Sequence, residues 1–522
     1  MLGQQLNLQE LANTPWDVVV IGGGITGAGI FLESARRGLK VLLLEQQDFS
    51  WGTSSRSSKM VHGGLRYIAQ GDIPLTHHSL KERERLLKEL PDLVVRMSYF
   101  FPIRKGQFPG RLSMQMVMIA YDALASIKDH EWLDANAVKT LFPALNGKQL
   151  KGALRYTDAL TDDSRLVIRV LQEGCLEGGM ARNYSKVSQI TQSEDGSLQL
   201  TVTNTRHSET KPAETKPASV CISAKHVFNA TGLWADQLSG TAPRIRPQRG
   251  SHLFIAKDRL AVESCLTLLH PDDKRYVFVY PWKGETCIGT TDLDHRFDLN
   301  EEAFCTEQEV DYLLKLVNHE FPDVNLTRQD IHSTMAGVRP IIASGAGRDP
   351  SKERRTHLVW QSNGIISVSG GKLTTFRQIA LDALATAHII DPATHKALLK
   401  GKSGRCFNHV LETPKTLDQP LAGIASGAEL EQQVRWILQH EMVQHLDDLM
   451  LRRLRAGNLL ADAGASILPQ LKPLCQQVLH WDDQQWQHEV TRYLKICKRY
   501  YQPQVAAAQE FIAPQAIPGF NA

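Results

Sequence analysis

Several features are scarce in this 522-residue chain, and each scarcity argues against a class of protein. The eight cysteines are widely spaced and form no C-x-x-C pair, a pattern that fits neither a zinc site nor a secreted disulfide framework, so we expect a reducing compartment and no bound metal. No run of about 18 apolar residues occurs, so we expect no membrane-spanning helix. The formal net charge of +3 is too small to favour a nucleic-acid partner.

The N-terminal stretch MLGQQLNLQELANTPW has no basic start followed by an apolar run, so we do not interpret it as a signal peptide. Hydrophobic residues make up 42% of the chain and charged residues 22%, which is ordinary for a globular protein. Such a chain can bury a large core, and it can lie on a membrane surface without crossing it.

A nucleotide-binding pattern stands near the start of the chain. The apolar, β-branched run DVVVI, from Asp17 to Ile21, predicts a buried parallel strand. A glycine cluster follows, then GAGIFLESARRG with apolar residues at helical spacing, and KVLLLE, from Lys40 to Glu45, predicts a second buried strand. Together they predict a β-α-β unit.

The glycines of this unit form the dinucleotide fingerprint. Gly22 permits a tight turn, Gly24 lets the backbone approach a pyrophosphate, and Gly27 allows close packing of helix and strand. Glu45 ends the second strand, where it would accept hydrogen bonds from a ribose and disfavour a 2′-phosphate. A tight turn in an ordinary α/β core would explain the glycines alone, but not the strand, helix and acid in register.

Two later segments favour FAD over NAD. FNATGLWAD ends a predicted strand before Gly232. GIISVSGGKLTTFRQIALDALATA then predicts another strand, a glycine pair that includes Gly371, and a helix beginning near Leu373. The N-terminus of that helix would stabilise the negative charge of a reduced flavin.

The remaining sequence predicts further units. Residues 80–143 are mixed and mostly helical in pattern, and a strand pair is predicted at RYVFVYPW and ETCIGTTD around a Lys283-Gly284 turn. Between two other predicted strands, Glu-Thr-Lys-Pro-Ala occurs twice in tandem, which we interpret as an exposed hairpin tip. From about residue 405 the chain is rich in Gln, Leu and Arg and predicts a separate helical domain.

The whole chain resembles the FAD-dependent glycerol-3-phosphate dehydrogenases of the aerobic, quinone-linked type. The motifs that carry the resemblance occur in the family's order between residues 17 and 377: IGGGITGAGI, TSSRSSKMVHGGLRY, DDSRL, NATG, RGSHL, DDKRYVFVYPW, IGTTD, GVRP and SGGKLTTFR. Phe31, Glu33 and Phe376 depart from the residue types expected in the family's two signatures.

This resemblance implies an α/β fold with a Rossmann-like FAD-binding domain of the D-amino-acid-oxidase/glutathione-reductase type. An antiparallel-sheet substrate domain would be interleaved with it, and a helical domain would follow. We place the FAD-binding domain in residues 14–400, with the substrate part at roughly 80–160 and 240–345. The C-terminal helical cap occupies residues 405–522.

In the resembling family, the segment after Glu45 lies over the FAD pyrophosphate and reaches the flavin. Short hydroxyls and backbone amides suit phosphate oxygens, a lysine adds positive charge, and glycines let the backbone pass against the ring. Within this segment the expected cofactor-binding residues are Thr53, Ser54, Lys59, His62, Gly63 and Gly64. Elsewhere they are Gly22, Gly24, Gly27, Glu45, Val187, Gly232, Gly371, Lys372, Leu373 and Thr374.

By resemblance the substrate is glycerol 3-phosphate, oxidised to dihydroxyacetone phosphate by hydride transfer to FAD. Arginine suits phosphate because its planar fork donates two parallel hydrogen bonds. The substrate-binding candidates are Arg66, Tyr67, Arg339, Arg355 and Lys372, and Arg339 also counts as a catalytic candidate because it stands among apolar neighbours.

For the base that accepts the substrate's hydroxyl proton we favour His252, since an imidazole titrates near neutrality and cationic neighbours would keep it uncharged. His62 is the rival, but its place among cofactor-binding residues suggests another role. A hydrogen-bonded core histidine is the alternative for either residue.

A membrane partner is suggested by RKGQFPGRLSMQMVMIAYDAL, in which Arg104, Lys105 and Arg111 adjoin an apolar stretch. A basic, amphipathic helix of this kind can dock on an anionic membrane surface, although an ordinary core helix has the same pattern. The resemblance implies membrane quinone as electron acceptor and a cytoplasmic location, free or on the cytoplasmic face of the inner membrane. It leaves a homodimer open.

Three other functions stay open at this point. A glycerol-3-phosphate oxidase would pass electrons to oxygen, and no residue excludes it. A flavin oxidase of a small amino or hydroxy acid would share the nucleotide unit but bind a carboxylate with one arginine. A non-catalytic or RNA-modifying flavoprotein would need a basic surface, which the small net charge disfavours.

Overall fold

The computed structural model describes residues 7–64, 73–125, 129–206, 219–240, 242–343, 356–400 and 405–503, together with Leu2 and Ile68. Its strands, numbered in chain order, are β1 Trp16–Ile21, β2 Val41–Leu44, β3 Met60–Val61, β4 Val94–Arg104, β5 Glu131–Asp134, β6 Leu150–Thr161, β7 Met180–Arg182, β8 Ser185–Gln192, β9 Leu198–Asn204, β10 Ser219–Asn229, β11 Ile245–Ala256, β12 Cys265–Leu269, β13 Tyr276–Trp282, β14 Glu285–Gly289, β15 Leu293–Asp294, β16 Ile331–Ile342, β17 His357–Ser362 and β18 Ile365–Gly370.

The α-helices span Leu8–Ala12, Ile25–Ala35, Ile73–Glu89, Arg111–Ala125, Ala135–Leu141, Asp163–Leu176, Ala235–Ser239, Glu307–Glu320, Phe376–Thr386, Pro392–Leu399, Gly427–His440, Ala456–Leu459, Leu468–Leu479 and Asp483–Ile496. Two π-helical segments, Asp448–Arg453 and Cys497–Tyr501, lie in the C-terminal region. Among the described helices, none is long and apolar enough to cross a membrane.

The first sheet has a parallel centre in the order β18-β10-β1-β2-β7. Strand β17 pairs antiparallel with β18 at one edge, while β9 and β8 extend the sheet from β10 as antiparallel strands. The predicted β-α-β unit is confirmed, since β1, the helix Ile25–Ala35 and β2 follow one another as expected. Strands β1 and β2 are almost wholly buried, because helices pack on one face of them and residues of β8, β9 and β10 pack on the other.

Glycines let large side chains pack between the helices of this sheet. Phe31 replaces a smaller residue of the family signature, and its ring fills the positions where Cβ atoms on Gly174 and Gly179 would lie, at 2.5 and 2.6 Å. The ring of Phe376 likewise lies 2.9 Å from a Cβ built on Gly29, so the helices Ile25–Ala35 and Phe376–Thr386 pack closely. Phe31 and Phe376 thus pack against glycines, whereas Glu33 pairs with Arg36, Arg37 and Arg377.

The second sheet draws its ten strands from two separate parts of the chain, β3–β6 and β11–β16. Its order is β15-β11-β14-β13-β12-β4-β6-β3, with β16 joined to β11 and β5 joined to β6. All pairs are antiparallel except β12 with β4. The prediction that residues 80–143 are mostly helical is incomplete, because β4 lies there and pairs with β6 along its whole length; tertiary pairing overrides the local pattern.

Both predicted hairpins are present. Strands β13 and β14 pair around Lys283 and Gly284, whose φ angles of 51° and 87° give the turn its left-handed backbone. Strands β9 and β10 pair antiparallel, from Thr203 opposite Ser219 to Leu198 opposite Ala224. The duplicated Glu-Thr-Lys-Pro-Ala segment that joins them lies outside the described residues.

The C-terminal helices are joined to the first sheet by buried ion pairs. Asp48, in the loop after β2, accepts hydrogen bonds from Arg452 at 2.6 Å and from Arg453 at 2.8 and 2.9 Å. All three side chains are at most 1% exposed. The predicted fold class is thus confirmed: a Rossmann-like parallel sheet, an antiparallel second sheet and a C-terminal helical region.

We predict that Asp48→Asn destabilises the protein, because it removes a buried carboxylate that two guanidinium groups share. Arg452 keeps Asp447 and Asp448 as partners, and Arg453 keeps Glu441. Removing one partner of a buried ion pair costs about 3–5 kcal/mol. Urea unfolding followed by circular dichroism should show an earlier transition, with loss of the C-terminal helices first. The matched control is Lys225→Gln, which removes the exposed pair of Lys225 with Asp17 and should cost less than about 1 kcal/mol. Equal stability of the two variants would contradict this account.

Candidate active site

The carboxyl ends of β1 and β2 and the start of the helix Ile25–Ala35 form one end of the site. The backbone N–H of Ile25 donates to the hydroxyl of Ser54 at 3.0 Å, which brings that serine to the helix N-terminus. Glu45 accepts hydrogen bonds from the N–H groups of Gly23 at 2.6 Å and Gln47 at 2.8 Å. Burial raises the pKa of Glu45 above its ordinary value.

The three fingerprint glycines have different neighbours. A Cβ on Gly27 would lie 1.9 Å from the carbonyl oxygen of Gly22, and a Cβ on Gly22 would lie 2.6 Å from that of Ala230. Both glycines are therefore needed for packing within the protein. Among described atoms within 4 Å, a Cβ on Gly24 would meet only the Ser54 side chain, with the hydroxyl at 3.1 Å.

Residues 53–59, which we call the crossing segment, run from this helix N-terminus to the second sheet. The hydroxyl of Thr53 donates to the carbonyl of Val338 at 2.5 Å. Five residues further along, the Ser58 hydroxyl lies 2.9 Å from Nε2 of His252, and the Ser58 carbonyl accepts from the Tyr280 hydroxyl at 2.9 Å. The crossing segment therefore joins the predicted cofactor residues to the predicted substrate residues.

Lys59 differs from its expected role. Its ammonium group donates to the carbonyl of Ser55 at 2.8 Å and to both carboxylate oxygens of Asp163 at 2.9 Å, and its side chain is 1% exposed. Burial lowers the pKa of Lys59 to about 8. The charge that we expected on a phosphate is therefore paired with a buried carboxylate inside the protein.

The glycines after β3 also have an internal explanation. The N–H of Gly63 donates to Asp158 at 3.0 Å, and the same carboxylate accepts from the Tyr121 hydroxyl at 2.9 Å. A Cβ on Gly63 would lie 2.3 Å from Leu80 and 2.4 Å from the Tyr121 hydroxyl, so protein atoms already require glycine here. Gly64 has a φ of 86°, which favours glycine for conformational reasons.

His252 and Arg339 lie on the paired strands β11 and β16 of the second sheet, with His252 opposite Met335 and Arg339 opposite Gln248. The guanidinium of Arg339 passes over Gly250, where a Cβ would lie 2.4 Å from its Nη2. Gly250 and His252 share one face of β11, since they are two residues apart in a strand. Burial, Arg339 and Lys59 together hold the pKa of His252 well below its ordinary value. The imidazole is therefore neutral at physiological pH.

Several polar neighbours of this pair were missed from the sequence. Arg339 donates to Thr290 at 3.1 Å and to Asp292 at 3.2 Å, and Asp292 also pairs with Arg275 at 3.1 Å. Thr290 and Asp292 belong to the IGTTD motif. We noted this motif as part of the family resemblance but assigned no role to its single residues. Ser58, which lies beside His252, belongs to the TSSRSSKMVHGGLRY motif but was likewise not singled out.

The last predicted segment closes the site from the first sheet. Gly370 and Gly371 have φ angles of 81° and 79°, and the Lys372 ammonium donates to the Ser79 hydroxyl at 2.9 Å. Leu373 to Thr375 form a short 3-10 turn before the helix Phe376–Thr386, so the predicted helix start is correct to within a few residues. Thr374 is buried in this turn.

Other predicted residues fall at the edges of this arrangement or beyond it. Gly232 follows β10, has a φ of 62°, and no described atom lies within 4 Å of its Cβ position; its carbonyl accepts from Ser369 at 3.0 Å. Val187 is buried in β8, in the same apolar cluster as Leu44. Three predicted substrate residues lie outside the described part of the chain: Arg66, Tyr67 and Arg355. His62 is described and partly buried.

Comparison with known proteins places this arrangement in a class. Residues 17–377 match the model of the FAD dependent oxidoreductase family, and residues 366–486 match the model of the C-terminal domain of alpha-glycerophosphate oxidase. The first match covers most of the chain, including both sheets and the crossing segment. The fold and the site are therefore those of a FAD-dependent oxidoreductase, which confirms the predicted cofactor.

Named relatives narrow the class. An aerobic glycerol-3-phosphate dehydrogenase of Staphylococcus epidermidis is 36% identical over 386 residues, covering 72% of this chain and 67% of that protein. The aerobic glycerol-3-phosphate dehydrogenase of Bacillus subtilis is 34% identical over 427 residues, covering 80% of this chain and 72% of that protein. The crystal structure of glycerol-3-phosphate dehydrogenase from Bacillus halodurans complexed with FAD superposes with a TM-score of 0.69 at 25% identity, over 93% of this chain and 96% of that one. The chain belongs to the aerobic glycerol-3-phosphate dehydrogenase family, as its motifs indicated.

The residues at the end of the first sheet fit FAD. Gly24 is the N-cap of the helix Ile25–Ala35, whose first backbone N–H groups can bind a pyrophosphate. A side chain at Gly24 would occupy this phosphate-binding space, which we call the FAD cradle. Glu45 has carboxylate lone pairs to accept ribose hydroxyls beside the two N–H groups that it already holds. The open space at Gly232 lies at the carboxyl end of the neighbouring strand β10, where ligands of parallel sheets bind.

We predict that Gly24→Val folds but loses bound flavin, at least about tenfold relative to the unchanged protein, because the side chain would displace the pyrophosphate. The measurement is the ratio of flavin to protein absorbance after purification, with circular dichroism as the check on folding. Gly423→Val is the matched control, since Gly423 is exposed and no described atom comes closer than 3.7 Å to its Cβ position. Full flavin content in folded Gly24→Val protein would overturn the assignment.

Proposed function

We propose that this chain oxidises sn-glycerol 3-phosphate to dihydroxyacetone phosphate. The observation that carries the proposal is the pair of Arg339 and neutral His252, held side by side on the second sheet and joined to the FAD cradle by the crossing segment. The names of the relatives give the same substrate. FAD, when bound, supplies the hydride acceptor.

Arg339 is proposed to bind the substrate phosphate. Its Thr290 and Asp292 contacts orient the guanidinium, and Asp292 is itself held by Arg275, so the fork is fixed before substrate arrives. A fixed, planar donor suits a phosphate better than a flexible ammonium group. Lys372 is the second described candidate, while Arg66, Tyr67 and Arg355 remain predictions.

His252 is proposed to accept the hydroxyl proton of the substrate. Its Nδ1 finds no hydrogen-bond partner among the described residues, whereas Nε2 lies next to the Ser58 hydroxyl. If Ser58 takes the Nε2 proton as acceptor, Nδ1 carries the lone pair that receives the substrate proton. The cations nearby keep the ring neutral in the resting protein, so it is ready to act as a base.

The electron acceptor distinguishes a glycerol-3-phosphate dehydrogenase, which we propose, from a glycerol-3-phosphate oxidase. We propose membrane quinone, as the names of the relatives with an aerobic dehydrogenase activity suggest. The C-terminal domain model carries the name of an oxidase, and a glycerophosphate oxidase structure shares the fold with a TM-score of 0.57. Hydrogen peroxide formed in step with substrate would favour the oxidase; turnover with a soluble quinone and little peroxide would favour the dehydrogenase.

We predict that Arg339→Lys lowers kcat/KM for glycerol 3-phosphate about 10- to 150-fold, the range expected when one charge-assisted hydrogen bond is lost. The measurement is the rate of flavin bleaching after anaerobic mixing of the purified holoprotein with substrate. Unphosphorylated glycerol is the control substrate, and its slow reaction should change little. Flavin content should stay constant, because Arg339 faces the second sheet and not the nucleotide cradle.

Equal losses on glycerol and glycerol 3-phosphate would mean that Arg339 acts on the hydroxyl or on the flavin. Lys372, Arg66, Tyr67 and Arg355 would then be the remaining candidates for binding the phosphate. Absence of bleaching by glycerol 3-phosphate in the unchanged protein would refute the proposed function itself, and small amino and hydroxy acids would become the next substrates to mix.

Peripheral membrane docking is also proposed, on the helix Arg111–Ala125. Leu112, Met116 and Ile119 line one face and are 78%, 72% and 59% exposed, although they are large and apolar. Phe108, just before the helix, is 86% exposed. A contiguous exposed apolar face is unusual on a soluble surface and suits an interfacial helix.

The basic residues beside this helix are less available than their sequence suggested. Arg104 donates to Glu320 at 2.6 Å and to the carbonyl of Asn146 at 3.0 Å, so its charge is paired within the second sheet domain. Arg111 lies over the ring of Trp132 at 4.3 Å. Lys105 is exposed. The apolar face, and not these basic side chains, therefore carries the docking proposal.

We predict that Leu112→Gln with Met116→Gln reduces sedimentation with liposomes made from bacterial polar lipids at least about tenfold, since each fully buried apolar side chain contributes about 1.5–3 kcal/mol. The control double variant is Val410→Gln with Leu421→Gln, which alters two other exposed apolar residues. Arg104→Gln should have little effect. Unchanged sedimentation of the first variant would place the docking face elsewhere.

A further inference from the structure

A second cleft is lined by residues of the helices Ile73–Glu89 and Pro392–Leu399 and by Lys400, which follows the second helix. Its volume is about 350 Å³. Its described lining consists of His77, His78, Lys81, His395, Lys396, Leu399 and Lys400. Six of these seven side chains are basic and none is acidic, which is a strong bias in a chain with a net charge of only +3.

Two acids next to lining residues already have partners in the protein. Asp382 holds Nε2 of His357 and Nε2 of His395, both at 2.7 Å. Glu82 is buried and lies 3.9 Å from Arg85. The Lys81 ammonium donates to the carbonyl of Leu399 at 2.7 Å, which leaves two of its three N–H groups for another acceptor. Among the described residues, no carboxylate pairs with Lys396 or Lys400, so these two lysines keep their positive charge at the cleft.

The titration of His78 agrees with this charge imbalance. Burial, the neighbouring His77 and Lys81 lower the pKa of His78, and Asp382 and the Gln378 side chain oppose that shift. Arg85 and Arg377 add to the positive potential around Lys81. The imidazole of His78 is therefore neutral in the free protein, and a bound anion would favour its protonated form and stabilise the nearby lysine charges.

We propose that this cleft is a second anion site, separate from the active site, which binds a phosphate group carrying two negative charges. Lysine and histidine donors converging from two helices match the several acceptor oxygens of a phosphate. The size is sufficient for a phosphate or a pyrophosphate and for a small group attached to it. The phosphate can belong to a free metabolite or to the head group of an anionic lipid.

The cleft also adjoins the proposed cofactor segment. Asp382 links His395 in the cleft to His357, whose Cβ lies 3.2 Å from a Cβ built on Gly371. On the other helix, Ser79 follows His78 and holds the Lys372 ammonium. An influence of the bound anion on the active site would rest on the proposed function, whereas binding of the anion does not.

The test is calorimetric titration of the FAD-loaded protein with inorganic pyrophosphate. We expect Lys396→Gln with Lys400→Gln to weaken binding at least about tenfold, because two charge-assisted contacts are lost. Both lysines are exposed, so the fold should be kept. The matched control is Lys88→Gln with Lys148→Gln, which removes the same charge from exposed positions outside the cleft and should leave binding unchanged.

A third variant separates this site from the active site. Arg339→Lys should leave pyrophosphate binding at the cleft intact even when it impairs glycerol 3-phosphate oxidation. If Arg339→Lys removes the binding and the cleft variant does not, pyrophosphate occupies the active site and the proposal is wrong. Equal weakening by the cleft and control variants would show a general charge effect, which would also overturn it.

Two further arms identify the source of the phosphate. If it is a lipid head group, the cleft variant should sediment less with phosphatidylglycerol vesicles, and pyrophosphate should compete with the vesicles for the unchanged protein. If it is a free phosphate compound, the cleft variant should lose pyrophosphate affinity while vesicle binding stays the same. No difference from the unchanged protein in either assay would refute the site.

Discussion

The carboxylate of Asp163 is the contact on which the candidate active site depends. It accepts hydrogen bonds from the N–H and hydroxyl of Ser57 at 2.8 and 2.7 Å, and from the Lys59 ammonium at 2.9 Å. Arg455 of the C-terminal region donates to the same carboxylate. Asp163 stands in the first turn of its helix, where the helix dipole stabilises negative charge. One buried acid thus joins the crossing segment, the helix Asp163–Leu176 and the C-terminal region.

That arrangement sets the electrostatics of the second sheet. The crossing segment delivers Ser58 to His252 and Thr53 to the strand that carries Arg339. Because the surroundings are buried, the nearby cations act strongly on the imidazole and keep it neutral, while Asp292 keeps the guanidinium oriented. The two residues to which we assign the roles of base and phosphate donor are therefore held on adjacent strands, one neutral and one charged.

The helix Arg111–Ala125 connects the outside of the protein to the same region. Its exposed face carries Leu112 and Met116, while Tyr121 on its buried face donates to Asp158, the carboxylate that holds the Gly63 amide. Burial raises the pKa of Asp158 and raises that of Tyr121 well above its ordinary value, so the contact persists as a hydrogen bond across physiological pH. The helix Arg111–Ala125 thus links the proposed membrane face, through Tyr121 and Asp158, to the loop after β3.

The amino-acid sequence by itself determined the β-α-β unit, the two hairpins and the motifs of the family, because these depend on residues close together in the chain. Only the tertiary structure decided the partners of Lys59, Arg104 and Gly63, which lie on elements distant in sequence. It also decided that β4 is a strand, since long pairing with β6 outweighs its mixed local pattern. A buried charge takes whichever partner the fold brings within reach, and that partner is not encoded in the local sequence.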